Sequence, residues 1–194
     1  MVIVGSSVIF NTPIALLPVQ ILWLNLLTDG FLSIGLANEG QEHRYSKYHF
    51  SRYRGSILNK YDIFRIINMV LVMSVVSITM FLYMLKIAVI EVVRTCMLII
   101  VSLFHWVNAI NIRKNYDSIF SYNPFSNKFI FIGLIIEGVL LWASVYTDIG
   151  NRFLHTVKVN PNVFYYFFFV SLIILILDEL YKFFYRIKKD RRGI

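Results

Sequence analysis

Residues 16–30 read "LLPVQILWLNLLTDG". The stretch is apolar enough to enter a bilayer, yet it carries Asn25, Thr28 and Asp29 in its midst. An aspartate at the centre of a membrane span costs roughly 2.5–3.5 kcal/mol on insertion scales, so its presence points to a function. On an α-helix, positions i, i+3 and i+4 share one face, so these three residues aim an amide carbonyl, a hydroxyl and a carboxylate at one spot. Hard cations such as Ca2+ or Mg2+ take such oxygen ligands. Gly30 follows directly, and its freedom permits local unwinding that would turn backbone carbonyls to the same cation. The three side chains also suit a plainer role, hydrogen-bonding neighbouring helices.

Outward from this stretch the rest of the chain is equally apolar. Of its 194 residues, 58% are hydrophobic and 15% charged, and the mean hydropathy is +0.66, too greasy to hide in one small soluble core. The predicted solvent is the lipid bilayer. A formal net charge of +8 raises nucleic acid as a partner, but the basic residues fall in loops between apolar runs and form no soluble basic face, so nucleic acid is excluded. A single cysteine, Cys96, rules out an internal disulfide, and its apolar neighbours suit an inert buried thiol. The opening "MVIVGSSVIF" has no basic n-region and does not read as a cleavable signal peptide.

Spans of about 20 apolar residues are the unit of a helical membrane protein. The chain offers a stub, Val2 to Phe10, and five full candidates: Val19 to Ala37, Ile63 to Leu85, Val89 to Asn111, Phe129 to Thr147 and Val163 to Tyr185. Cations concentrate in alternate loops: Arg44, Lys47, Arg52, Arg54 and Lys60; then Arg113, Lys114 and Lys128; then Arg186, Lys188, Lys189, Arg191 and Arg192. By the positive-inside rule these loops are cytoplasmic, the first full span enters from outside and the C-terminus is cytoplasmic. Aromatics in "YSKYHFSRYR" and "FYYFFF" mark membrane boundaries. The expected architecture is all-α: a polytopic transmembrane bundle of about five full spans plus the stub, forming one membrane domain over residues 1–194.

Several further polar residues lie in or beside the spans. Glu137 sits between small residues Gly133 and Gly138, a pattern of close helix packing, with a proton or ion role as the alternative. Asp178 can pair with Lys182 at i+4, and with Glu179 reads as an anchor at the inner end of the last span. Asn108 and Asn111 are expected to bond a neighbouring helix, and Arg65 and Lys86 to snorkel to the interface.

The stretch "LLPVQILWLNLLTDG" resembles the sixth transmembrane helix of P-type cation-transporting ATPases of the calcium-pump type, with their pattern P-x-Q-x-L-W-x-N-L-x-T-D-G. "RGSIL" resembles the segment leading into the seventh helix, "HWVNAINIRKNYDSIF" the end of the eighth and its loop, and "LDELYKFFYR" the end of the tenth. The resemblance implies a C-terminal transmembrane region running from the tail of the fifth helix through the tenth. It puts Asn25, Thr28 and Asp29 on the family's ion-coordinating positions. Sodium/potassium-type relatives typically have aspartate where Asn25 stands, which implies the calcium branch. A family glutamate in the eighth helix is replaced by His105, an accessory ligand at most because its nitrogen suits calcium poorly. The family's proline-alanine stretch after the glycine is replaced by "FLSIGLANEG".

This segment alone is expected to hold no cofactor. Ca2+ or another hard cation is the implied cargo, while ATP and Mg2+ belong to domains whose "DKTGT" motif does not occur here. The implied partners are the bilayer and the N-terminal part of the pump, in the same chain or a separate polypeptide. The isolated cysteine and short loops fit a prokaryotic plasma membrane. An alternative reading, drawn from Met1 and the missing catalytic motifs, is a truncated stand-alone structural or interaction protein of the membrane without transport activity.

Overall fold

Each of the five apolar runs becomes a long helix, because in hydrocarbon the backbone must satisfy its own hydrogen bonds. The computed structural model describes residues 2–37, 60–113, 118–121, 123 and 126–190. The aromatic basic loop 45–54, Arg44, "RGSIL", Lys114, Arg191 and Arg192 lie outside the described residues. The elements are α1 (Val2–Ile9), α2 (Pro18–Trp23), a π-helical turn (Leu24–Asp29), α3 (Gly30–Ala37), α4 (Lys60–Met84), α5 (Ile90–Asn111), a 3-10 turn (Ile119–Ser121), α6 (Lys128–Tyr146), α7 (Asp148–Leu154) and α8 (Asn162–Asp190). No strand occurs among the described residues. Five stretches are long and apolar enough to span: α2 through α3 as one broken helix, then α4, α5, α6 and α8.

The core is built around α5. Two-thirds (67%) of its apolar window is buried, against 17% for α4, so α5 is the central helix and α4 a lipid-facing one. Its Val93, Cys96, Met97, Leu98, Ile99, Ile100 and Phe104 are enclosed, and it packs on α8, α4, α6 and the π turn. With lipid outside, no hydrophobic force draws the helices together, and close fit must hold them.

That fit is close between α3 and α6, which run antiparallel. A Cβ on Gly35 would lie 2.8 Å from Ile130 Cγ1 and 2.9 Å from Ile130 Cα, and one on Gly133 3.4 Å from the Phe31 carbonyl oxygen. The close approach also joins the helix ends. Asn127 caps α6 by accepting from the Phe129 and Ile130 N–H groups at 3.0 and 3.3 Å, while its Nδ2 donates to the Gly35 carbonyl at 2.9 Å.

At the opposite end, where the residues between the last two spans read as a plain loop, the chain forms α7. Thr147 breaks α6 and caps α7, its hydroxyl accepting from Gly150 N–H at 3.1 Å and donating to the Ala143 carbonyl at 2.7 Å. His155, at φ 53°, ends α7 in the left-handed region. Thr156 then bonds back to the Ser144 carbonyl, Val157 N–H donates to Thr95 Oγ1 at 3.0 Å, and Tyr146 donates to the Val159 carbonyl at 2.9 Å. This end is thus sewn together by short-range polar contacts.

Gly35→Ala should lower stability by about 1–3 kcal/mol, since Ile130 meets the new methyl with backbone as well as side chain. Gly30→Ala should be tolerated, because its Cβ would meet nothing within 4 Å. Thermal unfolding of the two variants in detergent checks this; equal melting would overturn the packing argument.

Candidate functional site

The first full span departs from regular helix where the polar residues fall. Gln20 sits at the third position of α2, its Oε1 accepting from Leu17 N–H at 3.0 Å in a capping arrangement, with Pro18 at the first turn. From Leu24 to Asp29 the backbone widens into a π-helical turn, and regular α-helix resumes at Gly30. Short π turns inside helices recur at functional sites. The irregularity therefore precedes Gly30 and is a widening of the helix, in place of the unwinding at the glycine that the sequence suggests.

The widening changes which positions share a face. On a regular helix 25, 28 and 29 lie together; with i→i+5 closure each turn takes in more residues. Positions 25 and 29 stay on one face, and position 28 rotates away from 25. Leu24 is buried toward α5, while Asn25 is exposed together with Leu22 and Leu26. The side chains of Thr28 and Asp29 lie outside the described residues.

Two further polar side chains reach the same depth from other helices. The antiparallel register, Gly35 against Ile130 and Phe31 against Gly133, brings Glu137 level with residues 27–28. Glu137 is buried, on the same face of α6 as Ile130, Gly133 and Leu141. His105 is half-buried on α5, and the ring of its neighbour Trp106 would meet a Cβ on Gly138 at 3.5 Å, so His105 and Glu137 stand at similar depth. In the sequence Glu137 reads first as a packing feature and second as a proton or ion group; the signal for its depth is its spacing from the Gly133 that α3 packs on. Among the described residues, which do not include the Asp29 side chain, no three His, Cys, Asp or Glu side chains converge on one point.

A separate charged cluster ties three helices together at the opposite end of the spans from α7. Asp178 on α8 accepts from Arg65 on α4 through two parallel bonds, Nε to Oδ1 at 2.6 Å and Nη2 to Oδ2 at 2.7 Å. Lys182 lies 3.3 Å from Asp178 and 3.5 Å from Glu179. Arg65 Nη2 and Lys182 Nζ both donate to the Asn111 carbonyl at 3.0 Å, at the end of α5. Glu179 in turn accepts from Ser118 Oγ and from Ile119 N–H, holding the 3-10 turn.

The expected Asp178–Lys182 pair and the anchoring role of Glu179 are present, but Arg65 does not snorkel. It is buried at 5% exposure, because a carboxylate at its own depth offers a two-pronged partner. Asn111 joins its neighbours by main-chain carbonyl, while its buried amide atoms have no hydrogen-bond partner among the described residues.

A bundle of five apolar spans, one of them widened midway into a π turn at a run of oxygen-bearing side chains, defines a polytopic helical membrane protein. The chain belongs to the family described as cation transporting ATPase, C-terminus, whose model matches residues 13–184. It is thus the C-terminal membrane part of a cation-transporting ATPase, one portion of a larger pump. No curated protein matches the chain.

Arg65→Leu should destabilise the bundle by about 3–5 kcal/mol, the scale for removing one partner of a buried ion pair. Arg65→Leu combined with Asp178→Leu should recover part of that loss, since no carboxylate is then left uncompensated. Thermal unfolding of both variants in detergent checks the cluster; a double variant less stable than the additive sum would contradict it.

Proposed function

We propose that Asn25, Thr28 and Asp29 supply oxygen ligands to the cation that the pump carries, and that this cation is Ca2+. The observation that supports the reading best is the π-helical turn, which falls on these three residues in the middle of a span. A hard cation leaves water only if other oxygens replace its hydration shell and a negative charge offsets its own. Asp29 provides that charge and Asn25 an amide oxygen from one face of the turn, while Thr28, rotated away from Asn25, offers its hydroxyl from the side. Glu137, level with the turn, offers a second carboxylate from α6, while the nitrogen of His105 leaves it an accessory role.

The exposed face of Leu22, Asn25 and Leu26 suits cover by other helices of the pump, which would complete the ligand set. ATP hydrolysis belongs to that remaining part. The basic ends of the spans favour a cytoplasmic C-terminus, with the pump in a prokaryotic plasma membrane.

In the complete pump, Asp29→Asn should raise the Ca2+ concentration needed for phosphorylation by ATP. Loss of a mere outer-shell partner costs about 10–100-fold in metal affinity, and a direct ligand should exceed that. Glu137→Gln should shift the same curve less. Unchanged Ca2+ dependence in well-expressed Asp29→Asn protein would sink the assignment.

A further inference from the structure

The short helix α7 has an apolar side with no protein partner among the described residues. Ile149 is 82% exposed and Phe153 61%, and at i and i+4 they occupy one face. Its other face is seated. Leu154 is buried, and Gly150 lies so close to α6 that a Cβ there would meet the Ala143 carbonyl oxygen at 2.5 Å. The outward apolar face is therefore held in a fixed orientation on top of the bundle.

Its surroundings define what that face meets. Only Thr147 separates α7 from the end of the span Lys128–Tyr146, and the next span begins at Asn162, so α7 lies at the boundary of the bilayer. The exposed apolar residues of α6, namely Ile132, Ile135, Val139 and Trp142, follow the alternating three-and-four spacing of a lipid-facing stripe. Trp142 and Tyr146 pack at 5.4 Å, and Tyr165 and Tyr166 are exposed on the first turns of α8, an aromatic belt at the same level. Exposed Arg152 stands next to Phe153, placed for a phosphate.

We propose that α7 is an interfacial anchor: Ile149 and Phe153 insert among phospholipid chains at the membrane boundary while Arg152 meets the headgroup phosphate. The anchor bears on the broken helix. Gln20 Nε2 donates to the Leu154 carbonyl at 3.0 Å, with both residues fully buried, so the depth of α7 fixes the depth at which α2 begins. The proposal uses only the membrane fold and stands apart from the identity of the transported ion.

The test is nitroxide accessibility in the full chain reconstituted in phosphatidylcholine/phosphatidylglycerol vesicles. Ile149→Cys, Phe153→Cys and Asp148→Cys are labelled one at a time; Cys96, 1% exposed, stays shielded from the label. Collision with oxygen should dominate at 149 and 153, and collision with a water-soluble nickel chelate should dominate at 148, whose side chain is 83% exposed. Nickel collisions dominating at 149 and 153 would overturn the anchor in favour of a water-facing helix. Low access to both reagents at 149 and 153 would overturn it in favour of a protein partner on this face.

Discussion

Asp178 holds two cations in a place where none can be left alone. Its carboxylate takes both prongs of Arg65 and the ammonium of Lys182, and those same two cations converge on the carbonyl that ends α5. The end of a helix carries unpaired carbonyls and a partial negative charge, so the two donors satisfy hydrogen bonding and dipole together. In lipid, where apolar packing alone draws helices together weakly, this junction fixes α4, α5 and α8 relative to one another. The central helix thereby becomes a rigid post against which the broken span can lean.

The broken span is gripped on either side of its irregular part. At one end Gln20 links the start of α2 to α7, and at the other Asn127 links the Gly35 carbonyl to the cap of α6. Between the grips lie the π turn and the tight Gly35–Ile130 and Phe31–Gly133 contacts. Both grips use a side-chain amide that serves a cap and a neighbouring helix at once.

The range of the forces involved decides how much of this is legible in the residues. The five spans are legible to within a few residues, because their length is set by bilayer thickness and their composition by lipid. Val89 to Asn111 becomes Ile90–Asn111, for instance, and Phe129 to Thr147 becomes Lys128–Tyr146. The polar run from Asn25 to Asp29 announces itself by its expense in hydrocarbon. Arg65 misleads because snorkelling is the default for a cation near a span end, and its partner lies 113 positions away, where no local pattern can reveal it. Glu137 is legible as polar and its depth is not, since that depends on the register between α3 and α6. The helix α7 is too short for its periodicity to stand out from the turn residues around it.

The π turn also gives the span a place where its length can change. A loop closed from i to i+5 holds one more residue than one closed from i to i+4, so the turn amounts to a single residue accommodated without breaking the helix. Removing one residue between Leu24 and Asp29 would let the span relax into uninterrupted α-helix while the parts before and after it kept nearly their present rotation, because the wider turn already absorbs one helical step of about 100°. Gln20 would still face the Leu154 carbonyl and Gly35 would keep its seat on Ile130. A change of length there would fall on the faces of these six positions and leave the packing on either side in place.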